Sequence, residues 1–144
     1  MQRVLLLVTD SWATFLTPII LILLNKKIKK NSEIIDFLKL NALQISDIDA
    51  VVLGYNGDIE TDVFYKNIAE NCFKNTQQVY YKHLSGEYNT ASAFGLWVGA
   101  KIVKTQQIPE IIKVNHLEKT DYKTILLYNQ YKGIDHSFTL ISKC

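Results

Sequence analysis

The residues with the clearest chemical potential lie between Lys82 and Gly95, where a polar turn runs directly into a helix of small residues. The turn contains Gly86, and we expect the helix to run from Thr90 to Lys104. Small residues at the start of a helix allow the backbone to approach a ligand or another helix closely. The free N–H groups of such a first turn suit an anionic or carbonyl oxygen. The segment alone therefore predicts either an oxygen-binding turn or a packing contact.

The cysteines and histidines do not form a catalytic or metal-binding pattern. Cys72 and Cys144 lie outside any C-x-x-C pair, which is more typical of a reducing cytoplasm than of a disulfide framework. His83, His116 and His136 do not have the spacing of metal ligands. The sequence therefore indicates no metal and no cofactor, and it predicts a cytoplasmic protein.

The composition is that of a globular protein with one domain. The chain has 144 residues, of which 48% are hydrophobic and 21% are charged, so it can bury a core of its own. Its net charge of +2 is too small to indicate nucleic-acid binding. No aromatic and basic motif of an RNA-binding sheet accompanies that charge.

The apolar stretch from Val4 to Leu24 has two interpretations. A lysine cluster follows it, so it could be a membrane anchor. Asp10 and Pro18 interrupt the stretch, however, and the unbroken apolar part that begins at Ile19 is too short to span a bilayer. We therefore expect a buried strand over residues 4–8 and an apolar packing segment after it, and we keep the membrane anchor as an alternative.

Residues 32–144 form one domain in which helices and strands alternate, while residues 1–31 stay unassigned. Apolar spacing predicts helices from Ser32 to Leu43, from Thr61 to Phe73 and from Thr90 to Lys104. Strands are predicted at Ala50–Gly54, Gln78–Tyr81, Thr124–Asn129 and Ser137–Ile141, with an edge strand at Ile111–Val114. This alternation predicts an α/β fold in which helices pack against a mixed sheet.

Three segments in this order resemble the C-terminal half of β-ketoacyl synthases, which have the thiolase-like fold. Residues 47–62, DIDAVVLGYNGDIETD, are similar to the family's "DIDYVNAHGTGTPLND". Residues 82–95 are similar to "KSxxGHxxGAAG", and the helix after them ends at an Ile108-Pro109 step like the family's "IPP". Residues 126–140 are similar to the paired final strands around "NSFGFGGTNASLVL". The resemblance covers residues 32–144 and implies a thiolase-like half-domain.

The resemblance also implies where the family's catalytic groups would fall. The first histidine position is Gly54 and the second is Glu87, while the lysine of the second motif is kept as Lys82. Thr90 replaces a glycine at the helix start and is the candidate substrate-binding residue. The family's nucleophilic cysteine belongs to the absent N-terminal half. No catalytic residue of the family is therefore intact, and a carboxylate at the second position would repel an enolate.

By resemblance, the chain is a catalytically impaired ketosynthase of fatty-acid or polyketide biosynthesis, similar to a chain-length factor. Its implied partners are an acyl carrier protein and an active ketosynthase subunit, in a dimer or hetero-oligomer beside an apolar acyl tunnel. The residues leave alternatives open. Lys82 could be a surface lysine, Glu87 a helix N-terminal carboxylate, and Asp58 with Glu87 could support another condensation or a hydrolysis. A non-enzymatic α/β interaction module and the membrane-tethered protein are the other functions weighed.

Overall fold

A mixed six-stranded sheet organises the chain. The computed structural model describes residues 5–8, 19–26 and 32–143. The strands are β1 (Leu5–Val8), β2 (Ile19–Lys26), β3 (Ala50–Leu53), β4 (Gln77–Tyr80), β5 (Thr124–Tyr131) and β6 (Asp135–Lys143). The α-helices are α1 (Ser32–Leu40), α2 (Ile59–Asn71), α3 (Lys82–Ser85) and α4 (Ala91–Thr105). The fold is therefore α/β.

The sheet has a parallel half and an antiparallel half. Its strand order is β1-β2-β6-β5-β3-β4. β3 pairs in parallel with both β4 and β5, whereas β5–β6, β6–β2 and β2–β1 are antiparallel pairs. The carboxyl ends of β3, β4 and β5 consequently meet at one edge, which is where ligands bind in open α/β sheets.

Two hydrophobic cores lie on opposite faces of this sheet. Alternate strand residues supply each core, because successive side chains of a strand point to opposite faces. On one face, Val51 and Leu126 pack with the helices α1 and α2, whose residues include Phe37 and Tyr65. On the other face, Val52, Ile125 and Leu127 pack with α4. Burial on both faces explains the continuous apolar runs of β3 and β5.

Part of the apolar N-terminal stretch joins the sheet. β2 pairs with β6 over eight residues, from Ile19 opposite Lys143 to Lys26 opposite His136. We expected an apolar packing segment here and did not assign it as a strand, because a short apolar run does not distinguish a strand from a buried helix. No helix in the described part of the chain is long and apolar enough to cross a membrane.

Three local predictions were wrong. Helix α1 ends at Leu40 rather than Leu43, since Ala42 takes a left-handed backbone with a φ of 56°. The predicted edge strand at Ile111–Val114 begins inside a 3₁₀ helix, Glu110–Ile112, and makes a single antiparallel bridge to β4 through Lys113. Residues Lys82–Ser85, which the sequence placed in a polar turn, form the short helix α3.

Candidate functional site

A cleft opens where the three parallel strands end. Gly54, Tyr81 and Asn129 each follow a matched position in the β4–β3–β5 register, so they are neighbours across the sheet. The cleft has a volume of about 660 Å³, which is within the range of small-molecule sites. Lys82 and Glu87 line it together with residues of the other two motif segments, including Asn56 and Asn129. The fold thus brings together three segments that are far apart in the sequence.

The loop after β3 is held by the carboxylate of Asp62. Its two oxygens accept hydrogen bonds from the backbone N–H groups of Asn56, at 3.1 Å, and Gly57, at 2.9 Å. Gly57 has a φ of 88°, a backbone conformation that glycine adopts without strain. Asp58 caps α2 by accepting from the N–H of Glu60 at 3.0 Å. That cap starts α2 at Ile59, two residues before the predicted start.

Gly54, where the resemblance places the first histidine, has no room for a side chain. A Cβ atom there would lie 2.5 Å from the Tyr65 hydroxyl and 2.5 Å from Asn129 Oδ1. Tyr65 is fully buried, and its hydroxyl accepts a hydrogen bond from the backbone N–H of Gln130 at 3.0 Å. Two fixed polar side chains therefore fill the space in which a side chain at this position would begin.

Lys82 and Glu87, the other two positions that the resemblance implies, form an ion pair. Lys82 Nζ lies 2.6 Å from Glu87 Oε2, and Asn56 Nδ2 donates to the same oxygen at 3.0 Å. The Lys82 side chain is only 5% exposed, whereas that of Glu87 is 49% exposed. Gly86, with a φ of 80°, turns the chain between them. Lys82 is therefore not a surface lysine, and Glu87 precedes the first turn of α4 instead of lying in it.

At the start of α4, the side chains that line the cleft are not that of Thr90, the residue expected there. Thr90 is exposed, occupies the N-cap position of α4 and makes no side-chain capping hydrogen bond. Its neighbours Asn89 and Ser92 line the cleft, and Thr90 does not. His83 lies outside the cleft, with its ring stacked on Tyr80 at 3.8 Å between centroids. Thr90 and His83 therefore do not contribute side chains to the cleft wall.

Tyr81 and Asn129 are site residues that the sequence did not single out. The Tyr81 hydroxyl donates to Asn129 Oδ1 at 2.7 Å, and both residues are buried. Burial raises the pKa of Tyr81 and that of Tyr65, so both phenols stay protonated at neutral pH. Their place directly after parallel strands was a usable signal, because side chains at equal register converge at the sheet edge.

His136 is a third residue that the sequence did not single out. It lines the cleft, is 1% exposed, and its Nδ1 lies 2.8 Å from the Tyr128 hydroxyl. Burial lowers the pKa of His136, and the Gly133 carbonyl and nearby carboxylates offset part of this effect. The imidazole is therefore neutral at neutral pH and belongs to the wall of the cleft rather than to a charged site.

The described cysteine lies away from the cleft. Cys72 ends α2, is half-buried against the α1–α2 core, and burial raises the pKa of its thiol. A thiol of raised pKa is a poor nucleophile, because the thiolate is the reactive form. Cys144 lies outside the described residues. Across residues 5–8, 19–26 and 32–143, no group of three His, Cys, Asp or Glu side chains could hold a metal ion.

Comparison of the chain with models of known protein families, with curated proteins and with solved structures finds no match.

Proposed function

We propose that the chain is a ketosynthase-like protein of thiolase-like fold that has lost decarboxylative condensation and acts beside an active ketosynthase. The observation that carries the proposal is the state of the two histidine positions. At Gly54 the space is filled by Tyr65 and Asn129, and at Glu87 the carboxylate is bound to Lys82. Both positions have lost the donors that would hold an enolate, and each such donor is worth about 3 kcal/mol of transition-state stabilisation.

The pattern of kept and changed residues supports this proposal. The kept motif residues Gly57, Asp62 and Gly86 shape the backbone, through two left-handed turns and a carboxylate that binds two N–H groups. The two histidine positions of the reaction, Gly54 and Glu87, are among the changed residues, together with Thr90 at the helix start. This pattern is expected if selection no longer maintains the reaction but still maintains the geometry of the loops.

The lining of the cleft differs from what the resemblance implies. The resemblance implies an apolar acyl tunnel beside the site, but the described cleft presents amides, carboxylates and hydroxyls, such as those of Asn89, Asp135 and Ser137. A long acyl chain gains its binding energy from apolar contact. We therefore infer that the partner ketosynthase supplies the acyl site and that this chain contributes contact surface.

A decarboxylation assay tests the loss of chemistry. The purified chain, incubated with malonyl-loaded acyl carrier protein, should release no CO₂ above the uncatalysed background. A ketosynthase from the same organism is the positive control, alone and mixed with the chain. Decarboxylation by the chain alone that disappears in Glu87→Gln and persists in Glu118→Gln, an exposed control, would overturn the proposal and favour the carboxylate mechanism.

A non-enzymatic interaction module is the second candidate. It is favoured by apolar side chains exposed outside the cleft, among them Ile59 at 90% and Trp97 at 53% exposure. Trp97 stacks on Phe94 with ring centroids 5.4 Å apart, and contiguous exposed apolar surface favours a contact with another protein. This candidate predicts a stable complex that contains neither a ketosynthase nor an acyl carrier protein.

A further inference from the structure

The floor of the cleft carries hydrogen-bond donors that the protein does not use. Lys82 has three N–H donors, and its one hydrogen-bond partner in the described part of the chain is Glu87. Asn129 is 8% exposed; its Oδ1 accepts from the Tyr81 hydroxyl, and its Nδ2 group has no acceptor among the described residues. His136 Nε2, on another lining residue, is buried without a hydrogen-bond partner in the described part of the chain. Buried polar groups normally find a partner, so a hydroxyl group of a ligand would satisfy them.

The walls of the cleft carry acceptors. Within residues 32–143, the Asp135 side chain makes no hydrogen bond, and Glu87 engages its partners through Oε2 alone. The lining holds three carboxylates, on Asp58, Glu87 and Asp135, against two ammonium groups, on Lys82 and Lys132. The excess of one negative charge disfavours phosphate and carboxylate ligands. A neutral ligand with both donors and acceptors therefore suits this lining better than an anion does.

Two tyrosines stand at the mouth of the cleft. Tyr88 is 47% exposed and Tyr131 is 60% exposed, and both line the opening. Lys132 Nζ lies 5.3 Å from the centre of the Tyr131 ring, on which it packs. An exposed aromatic ring offers a flat apolar surface beside a polar group, which suits a ring-shaped ligand with one apolar face.

We propose that the cleft binds a neutral, hydroxyl-rich ligand, a saccharide or a cyclic polyol. Its hydroxyl groups would accept from Lys82 and Asn129 and donate to Asp135 and Glu87. Its ring would lie against Tyr88 or Tyr131. This binding activity goes beyond the proposed function and does not require it, because it depends on the present cleft and not on the ancestry of the fold.

The test uses the full chain and named probes. Saturation-transfer NMR and titration calorimetry are carried out with glucose, galactose, mannose, N-acetylglucosamine, maltotriose and myo-inositol, and with inorganic phosphate and decanoate as comparison ligands. We expect at least one neutral sugar or polyol to bind with a millimolar or tighter Kd, and neither comparison ligand to bind as tightly.

Matched variants locate the binding site. Tyr88→Ala or Tyr131→Ala should weaken the binding about threefold to tenfold, as loss of an aromatic contact does, whereas Trp97→Ala, an exposed aromatic outside the cleft, should leave it unchanged. Asp135→Ala should weaken binding, and Asp121→Ala should not. The proposal is overturned if no neutral probe binds at millimolar concentration, if phosphate or decanoate binds more tightly, or if the cleft variants bind as the controls do. The ketosynthase complex is measured without sugar, so failure of one proposal is distinguishable from failure of the other.

Discussion

Replacing Gly54 by alanine tests how tightly Tyr65 and Asn129 pack against Gly54. The new methyl group would lie 2.5 Å from two oxygens, Tyr65 Oη and Asn129 Oδ1, whereas ordinary contact begins at 3.4 Å. Both oxygens are fixed by hydrogen bonds, one from the N–H of Gln130 and one from the Tyr81 hydroxyl. Overpacking of a rigid core costs about 1–3 kcal/mol, and each buried hydrogen bond that weakens adds up to about 1 kcal/mol. We expect Gly54→Ala to lower the free energy of unfolding by about 3 kcal/mol.

The assay is urea unfolding followed by circular dichroism, with Gly57→Ala as the matched control. At Gly57 no other atom lies within 4 Å of the added Cβ, so the cost there is the strain of a left-handed alanine, about 1 kcal/mol. Both variants stiffen the unfolded chain equally, and that effect cancels between them. The difference of about 2 kcal/mol should place the midpoint of Gly54→Ala about 1 M lower in urea.

A double-mutant cycle identifies the contact responsible. Tyr65→Phe removes one of the two oxygens, so Gly54→Ala should cost about 1 kcal/mol less in the Tyr65→Phe background than in the wild-type protein. The reasoning is refuted if Gly54→Ala and Gly57→Ala unfold at the same urea concentration. It is also refuted if the effects of Gly54→Ala and Tyr65→Phe are additive.

Three other predictions follow from the same geometry. Glu87→Gln should lower the free energy of unfolding in urea by about 1–2 kcal/mol, because the buried ammonium of Lys82 would lack its partner. Lys82→Met in the same chain should recover part of that loss, and additive losses from the two substitutions would contradict this. Gly99→Ala should lower the free energy of unfolding by about 1–3 kcal/mol, because its methyl group would overlap Ile141 Cδ1. Ile141→Val deletes that atom and should restore part of the lost stability; no restoration would contradict this. Because the pKa of His136 is lowered in the folded chain, the unfolded chain binds more protons than the folded chain near pH 6, and stability should fall as the pH drops below about 6.5. An equal fall in His136→Gln would exclude His136 as the cause.

The sequence predicted the parts of the fold in which pattern and packing agree. β3 was expected at Ala50–Gly54 and lies at Ala50–Leu53, because its continuous apolar run matches a strand buried on both faces. Helix α4 was expected at Thr90–Lys104 and lies at Ala91–Thr105, one residue later at each end. These shifts are within the ordinary uncertainty of helix ends.

The remaining differences come from tertiary contacts that a local pattern does not encode. β2 forms because β6 offers an edge to Ile19–Lys26, a pairing between residues more than a hundred positions apart. The final strands extend beyond their apolar runs to Tyr131 and from Asp135, because they pair with each other up to the turn. Pairing between the strands therefore determines where these strands end, and composition alone does not predict it.

The candidate site also contains some residues that the sequence identified and some that it did not. The motif identified Lys82 and Glu87, and the turn at Gly86 was expected, but their ion pair was not predicted. Asn129 lies in the third motif segment and Tyr81 directly before the second, but neither is a position at which the resemblance places a site residue, so both were missed. Their role comes from equal register in parallel strands and from one hydrogen bond across the sheet edge.

Co-purification from extract of the native cell tests the central claim most directly. The full chain carries an affinity tag, and the proteins that stay bound after washing are identified by mass spectrometry, with the tag alone as control. The account predicts that an intact ketosynthase and an acyl carrier protein are recovered with the chain in fixed proportion. Recovery of the chain alone, or with neither of these partners, would contradict the proposed role beside a ketosynthase.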